Sequence, residues 1–243
     1  MMKKLVLLLS LGAVAGLPAV AAAQGQSAQA PAVPTPTDVK PVSITCDECP
    51  YPYPSSYLNL VTYGQDVRMA YMDVAPQGTP NGKTVVLLHG NNFAGFYFGN
   101  VAEALRKEGF RVIIPDQMGY GRSSKPIIPY SFNDFARNTA TLLKSLKLEK
   151  AMIVGHSMGG MLAARFATQY PAMTERLVIY NPIGVTDGRF ERPAQSIDDG
   201  YKQTLGQTYQ SIRASLMRYV AHNPKAWNDT FETYARIRYG WTL

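Results

Sequence analysis

Four short apolar runs dominate the middle of the chain: Thr84 to Leu88 (TVVLL), Arg111 to Pro115 (RVIIP), Ala151 to Val154 (AMIV) and Leu177 to Tyr180 (LVIY). Each is too short and too β-branched for a helix, and none alternates apolar with polar residues. A strand of that composition has no face to give to water, so it is expected in a parallel sheet covered on both sides. Longer amphipathic stretches lie between the runs. Val101 to Gly109 is one. Ser131 to Leu146 is a second, with Ser131 and Asp134 spaced as a capping box and Phe132, Phe135, Ala136, Leu142, Leu143 and Leu146 on one broad stripe. Met158 to Tyr170 is a third. Strand alternating with helix specifies right-handed crossovers and an α/β fold with a doubly wound, mostly parallel sheet.

The flanks read differently. Tyr57 to Tyr63 and Val67 to Val74 look like two strands joined at Gly64-Gln65-Asp66, an antiparallel hairpin at one edge of the sheet. Beyond Pro182 the strand rhythm stops, and about Asp198 to Tyr239 is helical, polar and aromatic, with no strand after it. At the other end, Lys3 and Lys4 precede an apolar run from Leu5 to Val20 and the small residues Ala21-Ala22-Ala23, the order of a secretory signal peptide over residues 1–23. That implies a periplasmic or secreted protein with no stable membrane insertion after cleavage, since Ser10, Gly12, Gly16 and Pro18 interrupt a stretch already marginal for a bilayer span. Residues 24–42, rich in Ala, Gln, Pro and Thr, read as a disordered linker.

Charge narrows the function classes. The formal net charge is +7, and loss of Lys3 and Lys4 with the signal leaves +5, scattered with no dense basic run, so nucleic-acid binding is not expected. Cys46 and Cys49 are the two cysteines. Behind a signal peptide, without a second ligand pair, they are expected to form a local disulfide at the start of the domain.

The chemistry concentrates at Gly155-His156-Ser157-Met158-Gly159-Gly160, between the run AMIV and the helix from Met158. G-x-S-x-G in that context is a nucleophile elbow, a sharp turn that raises the Ser157 hydroxyl above the carboxyl ends of the strands. Gly155 and Gly159 are small because a Cβ there would collide with neighbouring backbone. His89-Gly90-Asn91-Asn92 directly follows TVVLL. Acyl transfer needs backbone N–H donors aimed at a developing oxyanion, and Met158 and Asn91 are the candidates. His89 is expected to brace backbone in this loop.

The segments VVLLHGNN, Asp116-Gln117-Met118-Gly119-Tyr120-Gly121-Arg122-Ser123-Ser124-Lys125-Pro126 and IVGHSMGGMLAARFATQYP together resemble the α/β-hydrolase superfamily. They are most similar to its cap-bearing branch of esterases, carbon-carbon bond hydrolases, epoxide hydrolases and haloalkane dehalogenases. The resemblance covers about Val67 to Pro182. Epoxide hydrolases and dehalogenases carry Asp at the elbow, so Ser157 favours an acyl-enzyme route on an ester, lactone or similar small-molecule carbonyl, with no metal or organic cofactor. Asp116 ends a strand on the active-site side and so invites a reading as the triad acid, but the resemblance implies that it shapes its loop and that the acid comes later. Asp187 is the one nearby alternative, and it lies far from the strand end.

A serine nucleophile needs a base, in the family order Ser, acid, His. Of the three histidines, His89 belongs to the oxyanion loop, the His156 side chain is expected to point away from the Ser157 hydroxyl, and His222 reads as an exposed helix-end residue. The expectation is therefore a hydrolase core over residues 43–185 and a partial helical cap over 186–243. The last strands, the acid and the His would follow residue 243 in a protein about a quarter longer. Without later strands, Leu177 to Tyr180 would be an exposed sheet edge. The cap, with Tyr209, Met217, Tyr219, Trp227, Phe231 and Tyr234, would shape an apolar pocket, the stripe Trp227, Phe231 and Tyr234 serving as cap core more than as substrate contacts. A cofactor-free haloperoxidase-like use of the same serine, or a binding protein that keeps the fold without catalysis, is the alternative.

Overall fold

A computed structural model describes residues 33–185 and 195–243; the signal-peptide reading and Asp187 lie outside the described residues. Strands β1 (Ser55–Thr62), β2 (Gln65–Val74), β3 (Thr84–Leu88), β4 (Arg111–Pro115), β5 (Ala151–His156) and β6 (Thr174–Tyr180) form one sheet in the order β1-β2-β4-β3-β5-β6. β4, β3, β5 and β6 run parallel, while β1 and β2 close one side antiparallel. The helices α1 (Gly99–Lys107), α2 (Phe132–Ser145) and α3 (Met158–Gln169) make the crossovers.

The lack of alternation in the central strands follows from what lies on each face. Successive residues of a strand point to opposite sides. Val86, Leu88, Ile113 and Ile153 pack against Phe135, Leu142, Leu143, Leu162 and Phe166 of α2 and α3. Val85, Leu87, Val112 and Ile114 pack against Phe98 and Ala102 at the start of α1. Both faces are dry, as the composition requires. The Ser131 side chain caps α2 by accepting from the Asp134 backbone N–H at 3.1 Å, as its spacing indicates.

The hairpin turn differs from the expected one. It is the two-residue Tyr63-Gly64, with Thr62 paired to Gln65 and φ of 49° and 72° at the two turn residues. Both φ values are positive, as in a type I′ turn, whose twist matches that of the flanking strands. Gln65 and Asp66 therefore belong to β2. Tyr63 accepts the left-handed backbone, and its hydroxyl donates to Asp134 at 3.1 Å.

β6 departs from its three parallel neighbours. Leu177, Val178, Ile179 and Tyr180 are 40%, 48%, 40% and 64% exposed, because no further strand pairs with it among the described residues. From residue 195 onward come α4 (Ile197–Leu205), α5 (Tyr209–Met217) and α6 (Asp229–Gly240), with short 3-10 turns at Arg218–Val220 and Pro224–Ala226. α5 and α6 are tied at Glu232, which accepts from the Tyr209 hydroxyl and pairs with Arg213 at 3.6 Å. Tyr209 is fully buried, and Trp227 stacks on Phe231 with ring centroids 5.5 Å apart. Tyr234 packs on Phe93 and Phe96 at 5.2 and 5.8 Å.

The end of the segment read as a linker is seated on these helices. Val42 N–H donates to Gly240 O at 3.0 Å, Arg236 pairs with Asp38 at 2.5 Å, and Gln210 donates to Thr35 at 2.6 Å. Composition alone does not reveal such pairings, because the partners lie far along the chain. Cys46 and Cys49 form the disulfide and share a small core with Ala94, Phe96 and Ile237. No helix among the described residues is long and apolar enough to cross a membrane.

Phe166 is completely buried between α3, α2 and the sheet. Phe166→Ala should lower unfolding free energy by about 3–5 kcal/mol. Urea denaturation should report this as a lower midpoint with an unchanged slope.

Candidate active site

β5 ends at His156 and α3 begins at Met158, so Ser157 alone makes the turn from strand to helix. It does so at φ 57° and ψ −119°, a conformation that a residue bearing a Cβ rarely adopts. Three backbone bonds hold it. Ser157 N–H donates to Tyr180 O at 3.2 Å, and its carbonyl accepts from Gly160 N at 2.9 Å and Ile183 N at 3.2 Å. The turn also needs close approach. A Cβ on Gly155 would stand 1.9 Å from Gly159 O, and one on Gly159 would stand 2.0 Å from Leu88 O. Gly90 passes so near the serine that its own added Cβ would sit 3.1 Å from Ser157 Cβ.

The loop after β3 is braced by His89, which is fully buried. Its Nε2 accepts from Gln117 N–H at 2.9 Å, so the proton resides on Nδ1, which donates to Gly90 O at 2.9 Å. This fixes a neutral tautomer, and burial pushes the imidazole below its usual range. Asp116 is equally buried and saturated by donors. Oδ1 accepts from Gly95 N at 2.7 Å, and Oδ2 accepts from the Tyr51 hydroxyl at 2.5 Å and Arg122 N at 2.9 Å. A carboxylate so engaged organises loops, and no histidine among the described residues hydrogen-bonds it. Burial and the adjacent Asp116 charge push the Tyr51 phenol far above its ordinary range.

Two further tyrosines connect the loops around the serine. The Tyr97 hydroxyl accepts from Gly90 N–H and shares a hydrogen bond with His156 Nδ1, both at 2.9 Å. His156 also packs against Tyr180, with centroids 5.1 Å apart, and burial lowers its proton affinity. The Tyr120 hydroxyl donates to Asn91 Oδ1 at 2.6 Å and lies 3.5 Å from Met158 Sδ, so it ties the two oxyanion candidates together. Met158 opens α3, where backbone N–H groups have no intrahelical acceptor and the helix end carries partial positive charge.

Ser157 opens into a cavity of about 380 Å³ between Asn92 and His156 on the sheet side and Ser215, Arg218 and Tyr219 on the helical side. A larger groove of about 520 Å³ lies beside the β1–β2 hairpin, lined by Asn59 to Val61, Asp66 to Arg68 and Ser124, and does not include Ser157. Ser157, Met158, Gly90 and Asn91 thus converge at the top of the sheet, with His89 and Asp116 beneath as braces. His222 is exposed after Val220 and does not line the cavity. No side chain among the described residues hydrogen-bonds Ser157 Oγ. Of the cap residues expected to shape an apolar pocket only Tyr219 lines the cavity, beside the polar Asn92, Asn181, Ser215 and Arg218, and Tyr51, Tyr97 and Arg218 were not singled out as site residues from sequence. Nothing in the local pattern of Phe93 to Phe98 marks Tyr97 as the residue that reaches His156.

A family model described as alpha/beta hydrolase fold matches residues 83–233. The crystal structure of a probable hydrolytic enzyme from Pseudomonas aeruginosa is similar with a TM-score of 0.78 and 37% identity, covering 84% of this chain and 65% of that one. A 2-hydroxy-6-oxononadienedioate/2-hydroxy-6-oxononatrienedioate hydrolase of Burkholderia vietnamiensis is 36% identical over 129 residues, 51% of this chain and 43% of that protein. A meta-cleavage product hydrolase of Pseudomonas fluorescens superposes with a TM-score of 0.56 at 25% identity, covering 76% of this chain and 63% of that one. The chain therefore spans less than half the length of the curated relatives it matches.

The neutral, buried His89 makes a pH prediction. Its folded-state proton affinity is depressed, so its contribution to stability is complete above the unfolded value of 6.5 and is lost as pH falls toward the lower folded value. Each such histidine costs about 1.4 kcal/mol per pH unit over that interval, and His156 acts in the same direction. Denaturation midpoints measured between pH 7.5 and 5.5 should fall more steeply for the wild type than for His89→Asn. Equal slopes would assign the acid sensitivity elsewhere.

Proposed function

The chain belongs to the α/β-hydrolase fold family, and from that premise we propose that it is a serine hydrolase. In this reading Ser157 Oγ attacks the carbonyl of an ester, lactone or similar small molecule. The tetrahedral oxyanion is received by the backbone N–H groups of Met158 and Asn91, and collapse expels the leaving group to form an acyl-enzyme that water releases. The observation that carries it is the backbone of Ser157, strained at φ 57° and ψ −119° and open to a cavity. A serine serving only as a turn would not require Gly155 and Gly159 to be packed against the backbone beneath it.

The described residues supply Ser157 with no base, so the reading assigns to them the nucleophile and oxyanion half of the mechanism. The family's hydrolytic relatives support the reaction class. The order of basic, apolar and small residues over 1–23 supports export, and we extend the reading to a periplasmic or secreted enzyme.

The test is covalent. Treated with a fluorophosphonate probe, the protein expressed from its own gene should gain one adduct at Ser157 by peptide mass mapping, and Ser157→Ala should gain none. Absence of an adduct on the folded wild-type protein would overturn the reading in favour of a fold kept for binding.

A further inference from the structure

Among the described residues, the cavity over Ser157 is lined by one cation, Arg218, and by no carboxylate. Arg218 lines it directly, in the turn after α5. Its guanidinium is drawn back onto Ser215, with Nη2 donating to Ser215 Oγ at 3.0 Å and Nε to Ser215 O at 3.4 Å. These bonds orient one edge of the fork and leave Nη1 without a partner among the described residues. No carboxylate pairs with it there.

A second guanidinium lies behind the first. Arg238 on α6 is only 8% exposed and within electrostatic reach of both Arg218 and Tyr219, and Tyr219 also lines the cavity. Its Nη1 is buried with no hydrogen-bond partner, and it forms no ion pair among the described residues. The Phe93 ring lies 5.9 Å from its guanidinium carbon. Two other arginines of the helical segment do have acids, Arg213 with Glu232 and Arg236 with Asp38. Leaving one buried arginine unpaired beside an exposed one is costly unless an anion completes the set. A solvated surface arginine would explain Arg218 alone, but not a buried Arg238 beside it.

We infer that the cavity selects substrates that carry a carboxylate in addition to the scissile carbonyl, with Arg218 as the contacting residue and Arg238 as the buried charge that holds the potential positive. The inference rests on the serine hydrolase reading for the scissile carbonyl, and the charge preference is independent of catalysis. Guanidinium suits this role because its planar donors meet a carboxylate edge on. The cavity volume of about 380 Å³ suits a compact molecule with both groups.

Binding of monomethyl glutarate and dimethyl glutarate to Ser157→Ala, followed by calorimetry or ligand-detected NMR, tests it without turnover. The monoester should bind about tenfold more tightly than the neutral diester, the lower end expected for hydrogen bonds to a charged group at a partly open site. Arg218→Gln should erase that difference, and Arg218→Lys should restore part of it. Arg218 is exposed, so these variants should fold, and circular dichroism checks that they do. Equal affinity for the two probes, or a preference that survives Arg218→Gln, overturns the inference. Labelling of wild-type Ser157 without a carboxylate preference would defeat this inference and leave the serine reading standing. A preference without labelling would do the reverse.

Discussion

The geometry around Ser157 is a local conflict held in place by its surroundings. A residue with a side chain at φ 57° and ψ −119° costs on the order of 1–3 kcal/mol relative to ordinary backbone. The cost is offset by packing that no other arrangement of these residues would allow. Gly155 and Gly159 let β5 and α3 meet almost backbone to backbone, and Gly159 lies directly on the carbonyl of Leu88 in β3. Tyr180 O, at the end of β6, accepts from Ser157 N–H. Three parallel strands and one helix therefore converge on one residue, and the turn is strained only because the sheet around it is rigid.

The loops above the sheet are built on the same logic at lower cost. Asp116 sits at the end of β4 and gathers Gly95, Tyr51 and Arg122, which come from three separate segments. His89 joins the ends of β3 and β4 through Gln117. Tyr97 then links Gly90 to His156, and Tyr120 links Asn91 to Met158. These groups brace the loops that carry the cavity, whose sheet side is lined by Asn92, His156 and Ser157, and its one lining cation among the described residues, Arg218, comes from the helical side. That division accords with a rigid site for the carbonyl facing a more exposed wall that sorts substrates.

β6 and the helical segment mark where the fold is least self-sufficient. An edge of Leu, Val, Ile and Tyr with 40–64% exposure is an open template for pairing. The helices after it gain their hold partly from the chain's beginning, through Asp38, Val42 and the Cys46–Cys49 turn. Family relatives are about twice as long as the stretch they share with this chain, or longer.

Much of the architecture was legible in the sequence, because the signals that define it are local. Continuous β-branched runs mean strands with two dry faces, the Ser131 and Asp134 spacing means a helix start, and G-x-S-x-G between a strand and a helix means a raised serine. The hairpin turn was misplaced because Tyr63 bears a side chain that seldom takes positive φ, and only the register of β1 against β2 decides that it does. The seating of residues 35–42 and the bonds of Tyr51 and Tyr97 were invisible for a related reason, since each depends on a partner brought near by folding. Sequence by itself determined the strand-helix rhythm and the chemistry available at Ser157, both set by neighbours within a few residues. Tertiary structure alone decided which carboxylate is a brace, which histidine is locked neutral, and that Arg218 lines the serine cavity with no acid paired to it among the described residues, because burial and charge balance are properties of the assembled fold.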